Sequence, residues 1–266
     1  MIPKESIFRC PVCKTRLFKM DNCLKCMKGH SFDLARQGYA NLLRSGSSGR
    51  HGDDKLMVKA RQDFLNKGYY APLRDAISET IGEGHLVLDS GCGEGYYTSL
   101  FAEKNKVCGI DISKEALKSA AVRCKDCEFA VASIGDIPLS DASVDTVVNI
   151  FAPDSPDEFC RILTKDGRLI AVYPMEKHLF ELKVAVYDNP YLNPKVNTER
   201  ENMKLISSRE VKYKITLNTN EDIVSLFKMT PYYYKTSRED QQKLEALNSL
   251  DVGLEFLITE YKKIEE

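Results

Sequence analysis

Short apolar runs alternate with amphipathic stretches through the middle of the chain. Residues 86–88, 107–111, 128–132, 145–151 and 167–173 are mostly apolar and short, the pattern of strands buried on both faces. Between them, residues from Tyr96 onward, 114–123, 157–163 and 178–187 carry apolar positions at helical spacing. Strand and helix in turn imply an α/β fold with a mainly parallel sheet covered by helices. Two helices are expected ahead of this rhythm. One runs through about Lys67, capped by Asp53 or Asp54, with Met57, Ala60, Phe64 and Leu65 apolar; the other covers 71–81. Beyond the fifth strand comes a Pro/Asn-rich break at 189–197. A strand at 211–217, a helix at 221–228, the tyrosines 232–234, a helix from Arg238 and a strand at 254–261 follow it.

The turn after the first strand gives this pattern its chemistry. Asp89 ends the strand, and Gly91, Gly93 and Gly95 follow at alternate positions before a helix opens at Tyr96. Glycines there bare the backbone so that a ligand can lie against it. An acid followed by G-x-G-x-G suits S-adenosylmethionine better than a dinucleotide, since no pyrophosphate needs the helix N-terminus. Asp89 would answer the amino and sulfonium charges. Asp111 ends the second strand twenty residues past Gly91, where an acid bonds a ribose, and Ser113 is free to cap the next helix. Ser133 ends the third strand near the adenine position. The fourth strand's end, Phe151-Ala152-Pro153, faces the transferable methyl, with Asp154 next in line as a possible proton acceptor.

The first 30 residues read differently. Cys10, Cys13, Cys23, Cys26 and His30 crowd a segment with too few apolar residues to fold alone. Zinc would supply that stability, on the order of 10–16 kcal/mol. Two ligand sets compete: Cys10, Cys13, Cys23 and Cys26, which spacing slightly favours, or Cys10, Cys13, Cys26 and His30. Either closes the tetrahedron, so the metal is structural. Charge also divides: residues 1–70 carry +8 and the remainder −9, within a net −1. A basic head on an acidic body suggests a polyanionic partner, with Arg9, Lys14, Arg16, Lys19, Arg44 and Arg50 as candidate phosphate contacts. Residues 44–52 form a Gly/Ser-rich basic loop or linker. The length of 266 residues allows one large domain, or a domain with a small module. Nine cysteines, an odd number without a secretion signal, argue for reduced thiols, and no run approaches the roughly 20 apolar residues of a membrane span. A cytoplasmic protein is expected.

These motifs together resemble the 23S rRNA guanine-N1 methyltransferases, the RlmA family, which includes macrolide-resistance enzymes. The resemblance spans nearly the whole chain. It rests on Cys10-Pro11-x-Cys13, His30 with Phe32-Asp33, Gly38-Tyr39, Gly52-Asp53, Tyr70 with Pro72-Leu73-Arg74, Gly91 to Thr98, Ala152-Pro153, His178-Leu179 with Glu181-Leu182-Lys183, and Met229-Thr230-Pro231. It implies a class I, Rossmann-like S-adenosylmethionine-dependent methyltransferase with an N-terminal zinc-binding module. The implied division is a zinc module at 1–43, a basic linker and helix at 44–70, and the methyltransferase domain at 71–266. It further implies zinc on Cys10, Cys13, Cys26 and His30, cofactor contacts at Tyr70, Gly93, Glu94 and His178, and a homodimer around a 23S rRNA hairpin. Phe151 and Tyr232–Tyr234 are candidate stacking surfaces for the target base. A small-molecule methyltransferase and a non-catalytic protein with the cofactor fold are the rival readings. No residue is identified as the catalytic base.

Overall fold

The computed structural model describes residues 4–44 and 54–264. The chain opens with a four-stranded antiparallel sheet, β1 (Lys4–Arg9), β2 (Arg16–Met20), β3 (Cys23–Cys26) and β4 (Ser31–Asp33). A two-residue strand, β5 (Ala40–Asn41), leaves this ribbon. Two helices follow, α1 (Lys55–Leu65) and α2 (Ala71–Ile81). Asp54 is the residue that caps α1, accepting hydrogen bonds from the amides of Leu56 and Met57. The expected phosphate contact Arg50, the alternative cap Asp53 and most of the Gly/Ser-rich loop lie outside the described residues.

The α/β rhythm then unfolds as expected: β6 (Leu86–Ser90), α3 (Tyr96–Phe101), β7 (Lys106–Asp111), α4 (Lys114–Arg123), β8 (Glu128–Val131), β9 (Val144–Ile150), α5 (Pro156–Ile162) and β10 (Leu163–Pro174). Next come α6 (Phe180–Val186), β11 (Met203–Leu217), α7 (Asn220–Lys228), α8 (Arg238–Gln242) and β12 (Leu250–Lys263). The main sheet runs β11-β12-β10-β9-β6-β7-β8-β5. Strands β5 to β10 in that sheet are mutually parallel, and β12 is antiparallel to both its neighbours. From β6 the chain steps outward through β7 to β8, then returns to β9 on the other side of β6. That reversal opens a crevice at the carboxyl ends of β6 and β9, where ligands bind in open α/β sheets.

Several boundaries differ from the sequence pattern: β10 and β12 each begin four residues before the strands expected at 167 and 254. The strand expected over 211–217 begins at Met203, because the apolar residues of its first half, Met203, Leu205 and Ile206, do not sustain an alternation with polar ones and most of that half is exposed. The helix expected from His178 begins at Phe180. Leu179 sits ahead of it with a left-handed φ of 59°, its amide donating to the Gly253 carbonyl of β12. His178 therefore belongs to a turn fixed against β12.

Candidate functional site

The glycine turn lies at the end of β6. Gly91 has φ 79°, and a Cβ there would stand 2.5 Å from the Ala152 Cβ. The turn and the 151–153 loop after β9 thus meet without room for a side chain. Gly95 caps α3 at φ 83°, and a Cβ on it would lie 3.0 Å from the Ala120 backbone. Asp111 folds over the turn. Its Oδ2 accepts from the Gly93 amide at 2.9 Å and its Oδ1 from the Ser113 amide at 2.7 Å. Ser113 caps α4, as expected of it. Ser133 follows β8 half-buried, its Oγ accepting from the Gly135 amide at 3.2 Å. Gly91, Gly93, Asp111 and Ser133 therefore share one rim, the carboxyl ends of three adjacent parallel strands.

Asp89 lies beneath this rim, 2% exposed, and accepts from the Thr98 hydroxyl at 2.6 Å. Burial pushes its carboxyl up to about 7 against the Thr98 bond, and the nearby Asp111 charge adds to the rise. Glu94, equally buried, has its carboxylate 2.8 Å from the Arg123 guanidinium. Burial raises its pKa although Arg123 and Arg61 oppose the shift. A bare turn with two carboxyl groups at and beneath it fits a cationic ligand that carries a ribose.

Beyond the 151–153 loop lies an aromatic cluster. Tyr70 begins α2 and is 3% exposed. Its ring packs edge-on to Phe64, Phe256 and His178, with centroids 5.6, 5.3 and 6.5 Å away. The His178 ring lies 4.5 Å from Phe256, and its Nδ1 accepts from the Glu255 amide at 3.3 Å, which leaves the proton on Nε2. Burial, aided by the Lys183 charge, drives the imidazole down to about 3, so it stays neutral at physiological pH. Phe151 follows β9 at φ 54°, a conformation that costs a bulky residue of order 1–3 kcal/mol and clusters at functional sites. Its ring is 45% exposed and lies 5.6 Å from Phe256. The 151–153 loop thus touches the glycine turn through Ala152 and the aromatic cluster through Phe151.

Three residues that anchor the site, Arg200, Asn149 and Asn193, had no signal in the sequence. Arg200, from the irregular stretch before β11, reaches Asp154 at 2.5 Å, bonds the Tyr173 hydroxyl and lies over the Tyr261 ring. Asp154 is therefore a loop anchor, and Asn149 assists by donating to the Pro153 carbonyl at 2.7 Å. Lys183 is buried and donates to Asn193 Oδ1 at 2.6 Å. The Asn193 amide in turn donates to the His178 and Met175 carbonyls, tying down the turn that carries His178. The tyrosine run divides. Tyr232 and Tyr233 pack on the core, whereas Tyr234 is 59% exposed and bonds Asp54.

In the ribbon, ligand atoms of Cys10, Cys13, Cys26 and His30 all lie within 4.8 Å of one another. Cys13 and Cys26 sulfurs are 3.7 Å apart, and His30 Nδ1 lies 3.5 and 3.4 Å from the Cys10 and Cys26 sulfurs. A zinc tetrahedron with Zn–S of about 2.3 Å and Zn–N of about 2.0–2.1 Å has edges of roughly 3.8 and 3.6 Å, so these atoms fit the ion. The Thr15 hydroxyl beside Cys13 brings that thiol down to about 6, toward the thiolate a metal needs. Cys23, which spacing had slightly favoured, bonds the Met20 carbonyl at 3.2 Å outside the cluster. It faces away because Cys23 and Cys26 sit three apart on one strand, β3, and so point to opposite faces. Of the candidate phosphate contacts, Arg9 is committed to Ser140 and Glu5, Lys14 and Arg44 pair with Asp136, Arg16 pairs with Glu5, and Lys19 is exposed.

The chain matches two family profiles, the RlmA N-terminal zinc ribbon over residues 8–45 and a methyltransferase domain over residues 81–247. It is 32% identical to YxjB of Bacillus subtilis, provisionally named a 23S rRNA (guanine-N1)-methyltransferase, over 94% of this chain and 95% of that one. It is 38% identical to the 23S rRNA (guanine(748)-N1)-methyltransferase of Streptomyces fradiae over 65% of each. Among solved structures, a chain from the complex of the Haloferax volcanii Trm112 methyltransferase activator with a methyltransferase superposes with a TM-score of 0.52. It shares 19% identity and covers 82% of this chain and all of that one. YcgJ of Bacillus subtilis gives 0.50 at 16% identity, covering 73% and 98%; both likenesses concern the fold alone.

Proposed function

Since the chain belongs to the RlmA-type 23S rRNA (guanine-N1)-methyltransferases, we propose that it methylates N1 of one guanine presented unpaired in a 23S rRNA hairpin. The observation that carries this reading is one body holding both a zinc-fitting ribbon and a glycine turn packed against an exposed Phe151. S-adenosylmethionine, when bound, supplies a methyl made electrophilic by its sulfonium. The chain contributes by placement, which supplies much of the rate of such a transfer. Gly91, Gly93 and Gly95 give it bare backbone, Asp111 and Ser133 take the adenosine half, and Asp89 and Glu94 place negative charge near the cationic half. Tyr70 and His178 contribute from the aromatic cluster beyond the 151–153 loop, His178 as a neutral imidazole. Phe151 offers its ring to the target base, which must leave any pairing before N1 is accessible. Arg200 holds Asp154 and with it the loop bearing Phe151, so Asp154 supports the loop rather than accepting the N1 proton.

Zinc on Cys10, Cys13, Cys26 and His30 has no open position and acts structurally. We assign residues 1–43 to RNA recognition, 44–70 to the connection and 71–266 to methyl transfer. The active form would be a homodimer, as in the family it resembles, at work in the cytoplasm. No helix among the described residues is long and apolar enough to cross a membrane.

The test is incubation of the chain with unmodified 23S rRNA and labelled S-adenosylmethionine, followed by primer extension. N1 methylation blocks base pairing, so one new stop at a hairpin guanine is expected. Label transfer without a stop would move the methyl to another atom. Cofactor binding without transfer to RNA would favour a small-molecule substrate.

A further inference from the structure

The ribbon reaches the methyltransferase core on β8, the strand that leads to Ser133. Strand β5 pairs in parallel with β8, with Asn41 opposite Val131, and Val131 stands opposite Asp111 of β7. The Leu42 amide continues the pairing by donating to the Val131 carbonyl at 2.9 Å. The segment that follows, residues 133–140, is gripped from the ribbon side. The Arg9 amide donates to the Pro138 carbonyl at 2.8 Å, and Arg9 Nε to the Ser140 hydroxyl at 2.5 Å. Lys14 pairs with Asp136 at 2.6 Å. Ile137 and Leu139 are buried in one cluster with Phe8, Leu17, Leu24 and the metal-site cysteines Cys10 and Cys26. Arg9 directly precedes Cys10 and Lys14 follows Cys13, so the groups that hold this segment flank two of the four ligands.

We propose that the metal-closed ribbon is the outer support of the adenosine half of the cofactor site, so that zinc loading tightens cofactor binding as well as ordering an RNA-binding module. The proposal rests on the reading of Ser133 and Asp111 as cofactor contacts. Without the metal, the ribbon's few apolar residues leave its cysteine loops unheld. The 133–140 segment then loses its main-chain partner at Arg9 and its apolar cover. Ribbon side chains also share a buried cluster with Val147, Leu169 and Tyr261 on one face of the sheet, but the cluster that holds Tyr70 and Phe256 has no ribbon member among the described residues, so the effect is expected to be strongest at the adenosine end of the crevice. Arg9 is a positioning residue in this scheme and touches no substrate.

Affinity of the full chain for S-adenosylhomocysteine would be measured by calorimetry with zinc bound and after chelation, metal content being verified. Hydrogen exchange would be followed on the same samples. The expected result is roughly 5- to 20-fold weaker binding on zinc removal, with faster exchange at 133–140 and unchanged exchange in α2 and α7, whose core cluster holds no ribbon residue. A second variant keeps the metal: Arg9→Ala, in which zinc content stays at one per chain, is expected to weaken the same affinity a few-fold, and Arg9→Lys to restore part of it. Unchanged affinity in both the zinc-free chain and Arg9→Ala would overturn the proposal. So would a loss of protection spread evenly over the whole sheet, which would mean general unfolding. If the zinc-loaded parent chain fails to bind S-adenosylhomocysteine at all, the fault lies instead in the cofactor reading.

Discussion

Asp89 is an acid whose folded environment holds its proton. Its pKa of about 7 stands well above the ordinary carboxyl range, so the folded chain binds more protons than the unfolded one between about pH 4 and pH 7. Its contribution to stability therefore falls as pH rises through that window. A cation placed beside it favours the carboxylate and reverses the balance, so cofactor binding near neutrality should release a proton. Calorimetry at pH 6.5 in two buffers of different ionisation enthalpy is expected to show release of several tenths of a proton, and close to none in Asp89→Asn. Equal release in both would separate Asp89 from the cationic group. His178 differs in kind. With its pKa near 3, it gives no titration between pH 5 and 8, and its Nε2 proton is a fixed donor.

The glycine turn and the loop after β9 are two elements that can approach only because neither carries a large side chain at the contact. Gly91→Ala asks an alanine to adopt φ 79° and brings its Cβ to 2.5 Å from Ala152. The backbone cost alone is about 1–2 kcal/mol. The clash adds to it, so a fall in Tm of about 5 °C or more is expected, together with loss of S-adenosylhomocysteine binding. Adding Ala152→Gly should recover part of the stability, because it removes the clash and leaves the φ penalty. Strands β6 to β10 were legible as apolar runs because burial on both faces leaves little choice of residue. Strand β5 is too short to carry a hydrophobic period, and β11 shows one only over 211–217, which is the part the sequence made legible. The site was legible in the same uneven way. The glycines and acids announce themselves by spacing along one turn. Arg200, Asn193 and Asn149 act across long sequence separations or through main-chain carbonyls, and nothing local marks them. His30 needed either the family resemblance or the fold to displace Cys23.

At the scale of the molecule, one buried cluster contains ribbon residues Phe8 and Leu17, Val147 of β9 and Phe159 of α5. The ribbon and one face of the main sheet therefore share a core. On the other face, Phe256 and its neighbours Leu254 and Ile258 from β12 join the cluster that includes Tyr70, Leu182 and Ile223. Strand β12 stands between β10 and β11, bonded to both. A chain stopped after residue 249 is expected to lose cooperative unfolding and S-adenosylhomocysteine binding, while the ribbon should still take up one zinc, measured by metal analysis. During synthesis this ordering becomes a schedule. The ribbon's ligands leave the ribosome ahead of the main sheet and can collect their metal early, but the edge of β10 stays open until β12 emerges to fill it. Until that strand arrives, Phe151 has no Phe256 behind it and His178 no Glu255 amide to fix its ring. A nascent chain therefore lacks its finished aromatic cluster until β12 has emerged.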